Sequence, residues 1–207
     1  MPARIFVLAG VNGAGKSSIG GAALLSQGVA FFNPDVMARK LFDGNLAASM
    51  EAANAKAWEM GRSGLARAIE FSENFAFETT LGAKTIPNVL LAAARSGAQV
   101  HVWFAGLSSP ELHIARVRAR VAAGGHDIPE TKIRERYDTS RTNLIRLLPH
   151  LTTLRVYDNS TEADPKEGLH PAPVLLLLIE QGQVVTLATP IPQWAKPIAA
   201  GALKLRR

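Results

Sequence analysis

Apolar runs of strand length alternate with longer stretches of helical composition. Arg4–Ala9 carries the run Ile5-Phe-Val-Leu-Ala9, which predicts a buried first strand. Gly10–Gly15 follows as a glycine-rich loop, and Lys16–Leu25 has helical composition. Val29–Asn33 predicts a second strand and Asp35–Phe42 a short helix. Leu46–Phe71, rich in Ala, Met, Glu and Arg, predicts one long helix with a break near Gly61–Gly64. Phe75–Glu78 predicts a third strand. Ile86–Arg95 predicts a helix stopped by Gly97. Gln99–Ala105 predicts a fourth strand, with Val100, Val102 and Phe104 alternating. Ser109–Pro110 opens a helix that ends at Gly124–Gly125. Asp127-Ile-Pro-Glu130 has the form of a capping box and opens another, running to about Leu148. Thr153–Tyr157 predicts a fifth strand. Glu162–Pro173, with three prolines, reads as a linker. Val174–Ile179 and Val184–Leu187 flank Glu180–Gln183 as a terminal hairpin.

Strands alternating with helices predict an α/β domain around a mostly parallel sheet, with the pieces after about Glu162 as an addition. A length of 207 residues fits one such domain with an appendage. Hydrophobic residues at 47% and charged residues at 19% exclude a wholly disordered chain. Cysteine is absent, which excludes disulfides, cysteine–zinc sites and a thiol nucleophile. No run reaches the roughly 18–20 apolar residues of a membrane span, and Ile5–Ala9 is too short for a signal-peptide core. A cytoplasmic protein is expected. The 23 basic and 17 acidic residues give a formal charge of +6, which points to anionic partners, either phosphates or nucleic acid. Aromatics are only 6%, most of them in apparent strands, which argues against a nucleic-acid surface.

The sharpest chemistry lies in Gly10-Val11-Asn12-Gly13-Ala14-Gly15-Lys16-Ser17. It fits the phosphate-loop pattern G-x-x-x-x-G-K-[ST], with an apolar strand before it and a helix after it. Glycines let the backbone turn its N–H groups onto phosphate oxygens, and the helix aims its positive end at the same anion. Lys16 adds a charge for the β- and γ-phosphates, and the Ser17 hydroxyl suits Mg²⁺. The loop specifies a nucleoside triphosphate without specifying a kinase. A guanine-binding Asn-Lys-x-Asp and an ABC-type signature are both absent from the sequence. A switch ATPase needs an acid after an apolar strand to orient water. Glu180 is the candidate, though the Gln181-Gly182 that follows reads as a hairpin turn.

Asp35 sits just past the second strand, where open parallel sheets bind ligands. It can take a proton from an acceptor hydroxyl or cap the next helix, and the local sequence leaves both open. Glu78, Thr79 and Thr80 follow the third strand at the same edge and can bind a polar acceptor. Arg116 and Arg120 share a helical face, whereas Arg118 points elsewhere. Arg134, Arg136 and Arg141 lie on the helix beyond Gly124-Gly125-His126-Asp127. Two arginine-bearing helices joined by a glycine loop suit a kinase lid. Glu130, Glu135 and Asp138 could instead pair with these arginines along the helix faces. A lone loop histidine, His126, reads as structural.

Together, Gly15-Lys16-Ser17, Asn33-Pro34-Asp35, Phe77-Glu78-Thr79-Thr80-Leu81, Arg120 through His126 to Pro129, Arg136-Tyr137 and Tyr157-Asp158-Asn159-Ser160 resemble the zeta toxin family of P-loop kinases. The resemblance runs from Arg4 to about Ala195 and is nearest to the short chromosomal members. It implies a P-loop NTPase, nucleoside-kinase-like fold over residues 1–162, with a helical lid over about 109–148; the C-terminal hairpin is this chain's own, and 163–207 are expected as an extension packing on the same domain. It also implies ATP- and Mg²⁺-dependent phosphorylation of a hydroxyl on a small-molecule acceptor, UDP-N-acetylglucosamine in plasmid toxins, and an antitoxin encoded separately. By resemblance Asp35 is the catalytic base and Lys16 the phosphate-binding lysine. Glu78 binds the acceptor by the same resemblance, and the residues' own reading adds Thr79 and Thr80, with Arg62 from the long helix. Arg120 and one of Arg134 or Arg136, here Arg136, are the lid arginines. Asp158-Asn159 lie near the adenine by that resemblance, and the residues' own reading adds Arg116 there. The alternative kept beside this is a nucleotide-dependent ATPase or switch without an acceptor.

Overall fold

The apolar runs become strands, and one of them organises the rest. The computed structural model describes residues 1–16, 19–20, 31–161 and 172–206. Its strands are β1 (Arg4–Ala9), β2 (Phe31–Phe32), β3 (Phe75–Thr79), β4 (Gln99–Gly106), β5 (Thr153–Asp158), β6 (Val174–Glu180) and β7 (Gln183–Leu187). They form one sheet in the order β2-β3-β1-β4-β5-β6-β7. β2, β3, β1, β4 and β5 run parallel, and β6 and β7 continue the sheet antiparallel. β1 lies between β3 and β4, so the chain order reverses beside it. A crevice for a ligand opens at the carboxyl end of a strand at such a reversal.

The helices are α1 (Pro34–Asp43), α2 (Met50–Glu70), α3 (Thr85–Arg95), α4 (Pro110–Ala122), α5 (Glu130–Leu147) and α6 (Lys196–Leu203). Lys16, Ile19 and Gly20 are helical as well. β1 is apolar on both faces, as a central parallel strand must be. Its Ile5, Val7 and Ala9 face a core built from Leu65, Leu90, Leu144, Leu147 and Ile198 of the helices. Its Phe6 and Leu8 face the opposite way, with Trp103 and Ile19. A smaller cluster of Val11, Ile114, Val117 and Ile133 ties the phosphate loop to α4 and α5.

Several expectations change. The long helix begins at Met50, because the Ser49 hydroxyl caps it by accepting from Ala52 N at 3.1 Å. It runs without a break through Gly61 and Gly64. Those glycines serve close approach instead: a Cβ on Gly61 would lie 2.7 Å from Phe32, and one on Gly64 3.0 Å from Phe75. The capping box at Asp127 does not form. Ile128 precedes a proline, which disfavours helical backbone there, so α5 starts after Pro129, and Asp127 Oδ1 accepts from Ile128 N instead. The hairpin is present, but β6 pairs with β5 and extends the main sheet. α6 and the turn before it have no counterpart in the sequence-based expectations. The linker expected over Glu162–Pro173 falls, except for its last two residues, outside the described residues. Among the described residues no helix is long and apolar enough to cross a membrane.

Candidate active site

The phosphate loop leaves β1 against the end of β4. Gly10, Gly13 and Gly15 have φ of +139°, +81° and +73°. A Cβ on Gly10 would lie 2.3 Å from the Ala105 carbonyl oxygen, and one on Gly13 2.7 Å from that of His113. Both conformation and space therefore require glycine at these two positions.

The loop is then pinned from outside. Asn12 O accepts from His113 Nδ1 at 2.8 Å, and Asn12 Oδ1 accepts from Arg136 Nη1 at 2.7 Å. Ala14 O accepts from Asn159 Nδ2 at 2.9 Å. These bonds hold the curve of the loop from outside. Burial, with the nearby Lys16, Arg116 and Arg141 charges, pushes His113 down to about 4, even though its bond to Asn12 O favours the charged form. His113 is neutral at pH 7 and carries its proton on Nδ1.

Lys16 is 7% exposed and opens the helix after the loop. Its ammonium donates to Gly10 O at 2.9 Å and Val11 O at 3.4 Å, and pairs with Glu78 Oε1 at 3.2 Å. Glu78 Oε2 accepts from Asn33 Nδ2 at 3.0 Å. Asn33 Oδ1 accepts from Val36 N and caps α1. Of the two roles open to Asp35 in the sequence, the cap thus belongs to Asn33. Asp35 stands in the first turn of α1, half exposed, with Arg120 Nη1 at 3.9 Å.

Arg120 also donates to His126 O at 2.7 Å, which folds the α4–α5 loop back on itself. From α1, Arg39 reaches Gly124 O of that loop at 3.0 Å. Arg136 lays its stem on Gly82, where a Cβ would lie 2.6 Å from its Cγ. Burial lowers its pKa from the ordinary value, opposed by the Glu135 and Asp35 carboxylates. Arg134 points away and pairs with Glu111 at 2.6 Å, and Arg118 pairs with Glu130. Arg141 stacks on Tyr137 and pairs with Asp138.

A cavity of about 490 Å³ opens between α2, α5 and the carboxyl ends of β2 and β3. Lys16, Asp35, Glu78, Thr79, Thr80, Arg62 and Arg136 line it, together with Asn12 and Trp58. Arg62 forms part of the α2 wall, paired with Glu59 at 2.5 Å. Thr79 and Thr80 accept from Leu81 N and Gly82 N, so their hydroxyls shape the turn after β3. Arg116, Arg120, Asp158 and Asn159 do not line this cavity. Arg116 reaches Thr161 O at 3.3 Å, and Asn159 lies beside Ala14, on the other side of the loop. The Ser17 position lies outside the described residues.

Sequence reasoning missed several supports. Asn33 was detectable, since an asparagine before a proline at the first helical position is a capping signal. His113, Ser140 and Asn143 gave no local signal. The Ser140 hydroxyl donates to Thr80 O, and Asn143 Nδ2 donates to Leu81 O at 2.6 Å and Ala83 O at 3.2 Å, so α5 holds the turn after β3.

The buried neutral His113 makes stability depend on pH. Its folded value of about 4 lies below the ordinary 6.5. Between those values the unfolded chain binds the extra proton, so stability falls as pH drops through 6.5 and levels near 4. Urea unfolding at pH 7 and pH 5 is expected to show that wild type loses about 2 kcal/mol more than His113→Gln, which keeps an N–H donor but does not titrate. Equal losses would contradict this.

The model of the zeta toxin family matches residues 2–164. An uncharacterized protein of Haemophilus influenzae is 29% identical over 133 residues, covering 62% of this chain and 88% of that protein. The AvrRxo1-ORF1:AvrRxo1-ORF2 structure with sulphate ions superposes over 97% of this chain with a TM-score of 0.65 at 16% identity. A structure of the same pair with ATP gives the same figures. This chain spans 64% of the matched chain's length in both. The PezAT chromosomal toxin–antitoxin system of Streptococcus pneumoniae superposes over all of this chain and 86% of its own, with a TM-score of 0.53 at 14% identity. The structural likenesses agree in fold, and the family match covers the phosphate loop, Asp35, Glu78, α4 and α5: the chain belongs to the zeta toxin family of P-loop kinases.

Proposed function

We propose that this kinase transfers the γ-phosphoryl group of ATP to a hydroxyl of a small-molecule acceptor. A sugar nucleotide such as UDP-N-acetylglucosamine is the acceptor that the family implies. The observation that carries the proposal is that Lys16, Asp35 and Arg136 line one cavity of about 490 Å³, with Arg120 of α4 at 3.9 Å from Asp35. The ATP bound in the AvrRxo1-ORF1:-ORF2 structure supports the choice of nucleotide.

In the proposed reaction the acceptor oxygen attacks the γ-phosphorus, the bond from that phosphorus to the β–γ bridging oxygen breaks, and ADP leaves. Asp35 receives the hydroxyl proton. The loop N–H groups and Lys16 hold the phosphates, and Arg120 and Arg136 offset charge on the group in flight. Lys16 must then exchange its carbonyl and Glu78 contacts for phosphate oxygens. Glu78 has a lone pair left on each oxygen for acceptor hydroxyls, with Thr79, Thr80 and Arg62 around it. Arg116, Asp158 and Asn159 flank the base. Mg²⁺ travels with phosphates and takes one or two protein oxygens. Ser17 is the proposed ligand, and the ion would supply neutralising charge to the phosphates.

The rival ATPase reading loses its candidate acid. Glu180 pairs with Arg155 at 3.6 Å and lies opposite Thr153, the first residue of β5, at the edge of the sheet away from the phosphate loop. A cytoplasmic location and a separately encoded antitoxin complete the proposal. The toxin–antitoxin system of the PezAT structure supports the second.

Lys16→Ala is expected to lose both ATP binding and transfer. Asp35→Ala is expected to keep ATP affinity within about threefold while transfer falls by about 10²–10⁴. Calorimetry with ATP and a transfer assay read the two separately, and wild-type transfer by Asp35→Ala would remove the base from the scheme.

The two α5 arginines give a paired test. Arg136→Ala should slow transfer by about 10²-fold or more, whereas Arg134→Ala, which breaks only an exposed ion pair, should stay near wild type. Equal rates for the two variants would contradict the assignment.

A further inference from the structure

The family match ends at residue 164, yet the chain beyond it reaches back to the phosphate loop. Trp194 sits in the short turn Gln193–Ala195 that leads into α6, and it is 3% exposed. Its indole packs against the last residue of β4. A Cβ on Gly106 would be 2.3 Å from ring atoms Cη2 and Cζ3, so β4 ends in a glycine because the ring takes the space. Phe104 packs on the same ring, with centroids 6.5 Å apart.

From Gly106 the contacts lead directly to the phosphate loop. Gly106 O accepts from Asn159 N at 3.0 Å, and Asn159 Nδ2 donates to Ala14 O at 2.9 Å. The residue before Gly106 is Ala105, whose carbonyl is the wall that Gly10 abuts.

A second route starts at the Trp194 backbone. Arg141 Nη1 donates to Trp194 O at 3.1 Å, while its guanidinium lies 4.2 Å from the Tyr137 ring centroid and its Nε donates to Tyr137 O at 2.9 Å. The Tyr137 hydroxyl donates to Ser108 O at 3.0 Å, and the ring meets His113 edge-on at 5.7 Å. His113 holds Asn12 O, and Arg136, the neighbour of Tyr137, holds Asn12 Oδ1. The two routes therefore end on the two halves of the loop, Asn12 and Ala14. Both are unbroken chains of packing and hydrogen bonds, which is what mechanical coupling needs.

We infer that the C-terminal turn leading into α6 positions the phosphate loop for nucleotide binding, with Trp194 and Arg141 as positioning residues that touch no substrate. The inference rests on the nucleotide reading above. Its physical content is preorganisation: a loop already curved to accept phosphates has less ordering to complete when ATP arrives.

Calorimetry with MgATP on Trp194→Leu, Trp194→Phe and Arg141→Lys tests it, well below each thermal midpoint. Leu177→Ala serves as a control, an equally buried truncation in β6. Trp194→Leu and Arg141→Lys are expected to weaken MgATP binding about tenfold. Trp194→Phe should recover most of that loss, and Leu177→Ala should bind as wild type. A second readout avoids folding losses at Trp194. With Trp58 and Trp103 replaced by phenylalanine, Trp194 is the one tryptophan left of three, and its emission should shift on MgATP addition. Unchanged MgATP affinity in folded Trp194→Leu and Arg141→Lys, equal weakening by Leu177→Ala, or unmoved Trp194 emission overturns the inference. If wild type itself binds no MgATP, the nucleotide reading falls and this inference falls with it. If wild type binds and the variants match it, only this inference falls.

Discussion

The phosphate loop can curve as it does only because nothing projects from Gly10 toward β4. Its Cα abuts the Ala105 carbonyl so closely that a methyl group would overlap the oxygen at 2.3 Å. That contact fixes where the chain leaves the sheet. It also explains why β1 must be the central strand. Only a strand flanked on both sides by parallel neighbours has a carboxyl end where β3 delivers Glu78 on one side and β4 delivers a wall on the other. An edge strand would supply one or the other.

From that constraint the charges arrange themselves. Lys16 is buried, and a buried ammonium needs partners. Two loop carbonyls and Glu78 supply them, and Asn33 holds Glu78 in turn. Because Asn33 also caps α1, one side chain couples the start of that helix to the lysine's counter-ion, and Asp35 is left with its carboxylate uncommitted to the helix end. α4 and α5 complete the set through Arg120 and Arg136. On the proposed reading, the same groups that stabilise the folded cleft are those that exchange partners when a triphosphate enters.

Much of the frame was legible in the sequence because it is local. Six-residue apolar runs, a glycine loop between strand and helix, and a proline after asparagine each act within a few positions. What was not legible depends on partners far along the chain. Asp127 and Glu130 have capping-box spacing, but Pro129 between them disfavours at Ile128 the helical backbone that the box requires. Gly61 and Gly64 read as a helix break because their true reason, the rings of Phe32 and Phe75, lies on other strands. Arg134 and Arg136 are two apart on one helix, and only the placement of α5 against the loop shows that the second meets Asn12 while the first meets Glu111. Trp194 looks like a stray aromatic in a proline-rich stretch until the sheet puts Gly106 beneath it.

The measurement that tests the account most directly is the fate of the γ-phosphoryl group. The protein is incubated with Mg²⁺, ATP labelled in that group, and a metabolite extract, and the products are separated by mass. The account predicts a metabolite that gains one labelled phosphate, in amounts equal to the ADP formed, with little release in the absence of extract. Label found only in inorganic phosphate, at a rate indifferent to the extract, would contradict it.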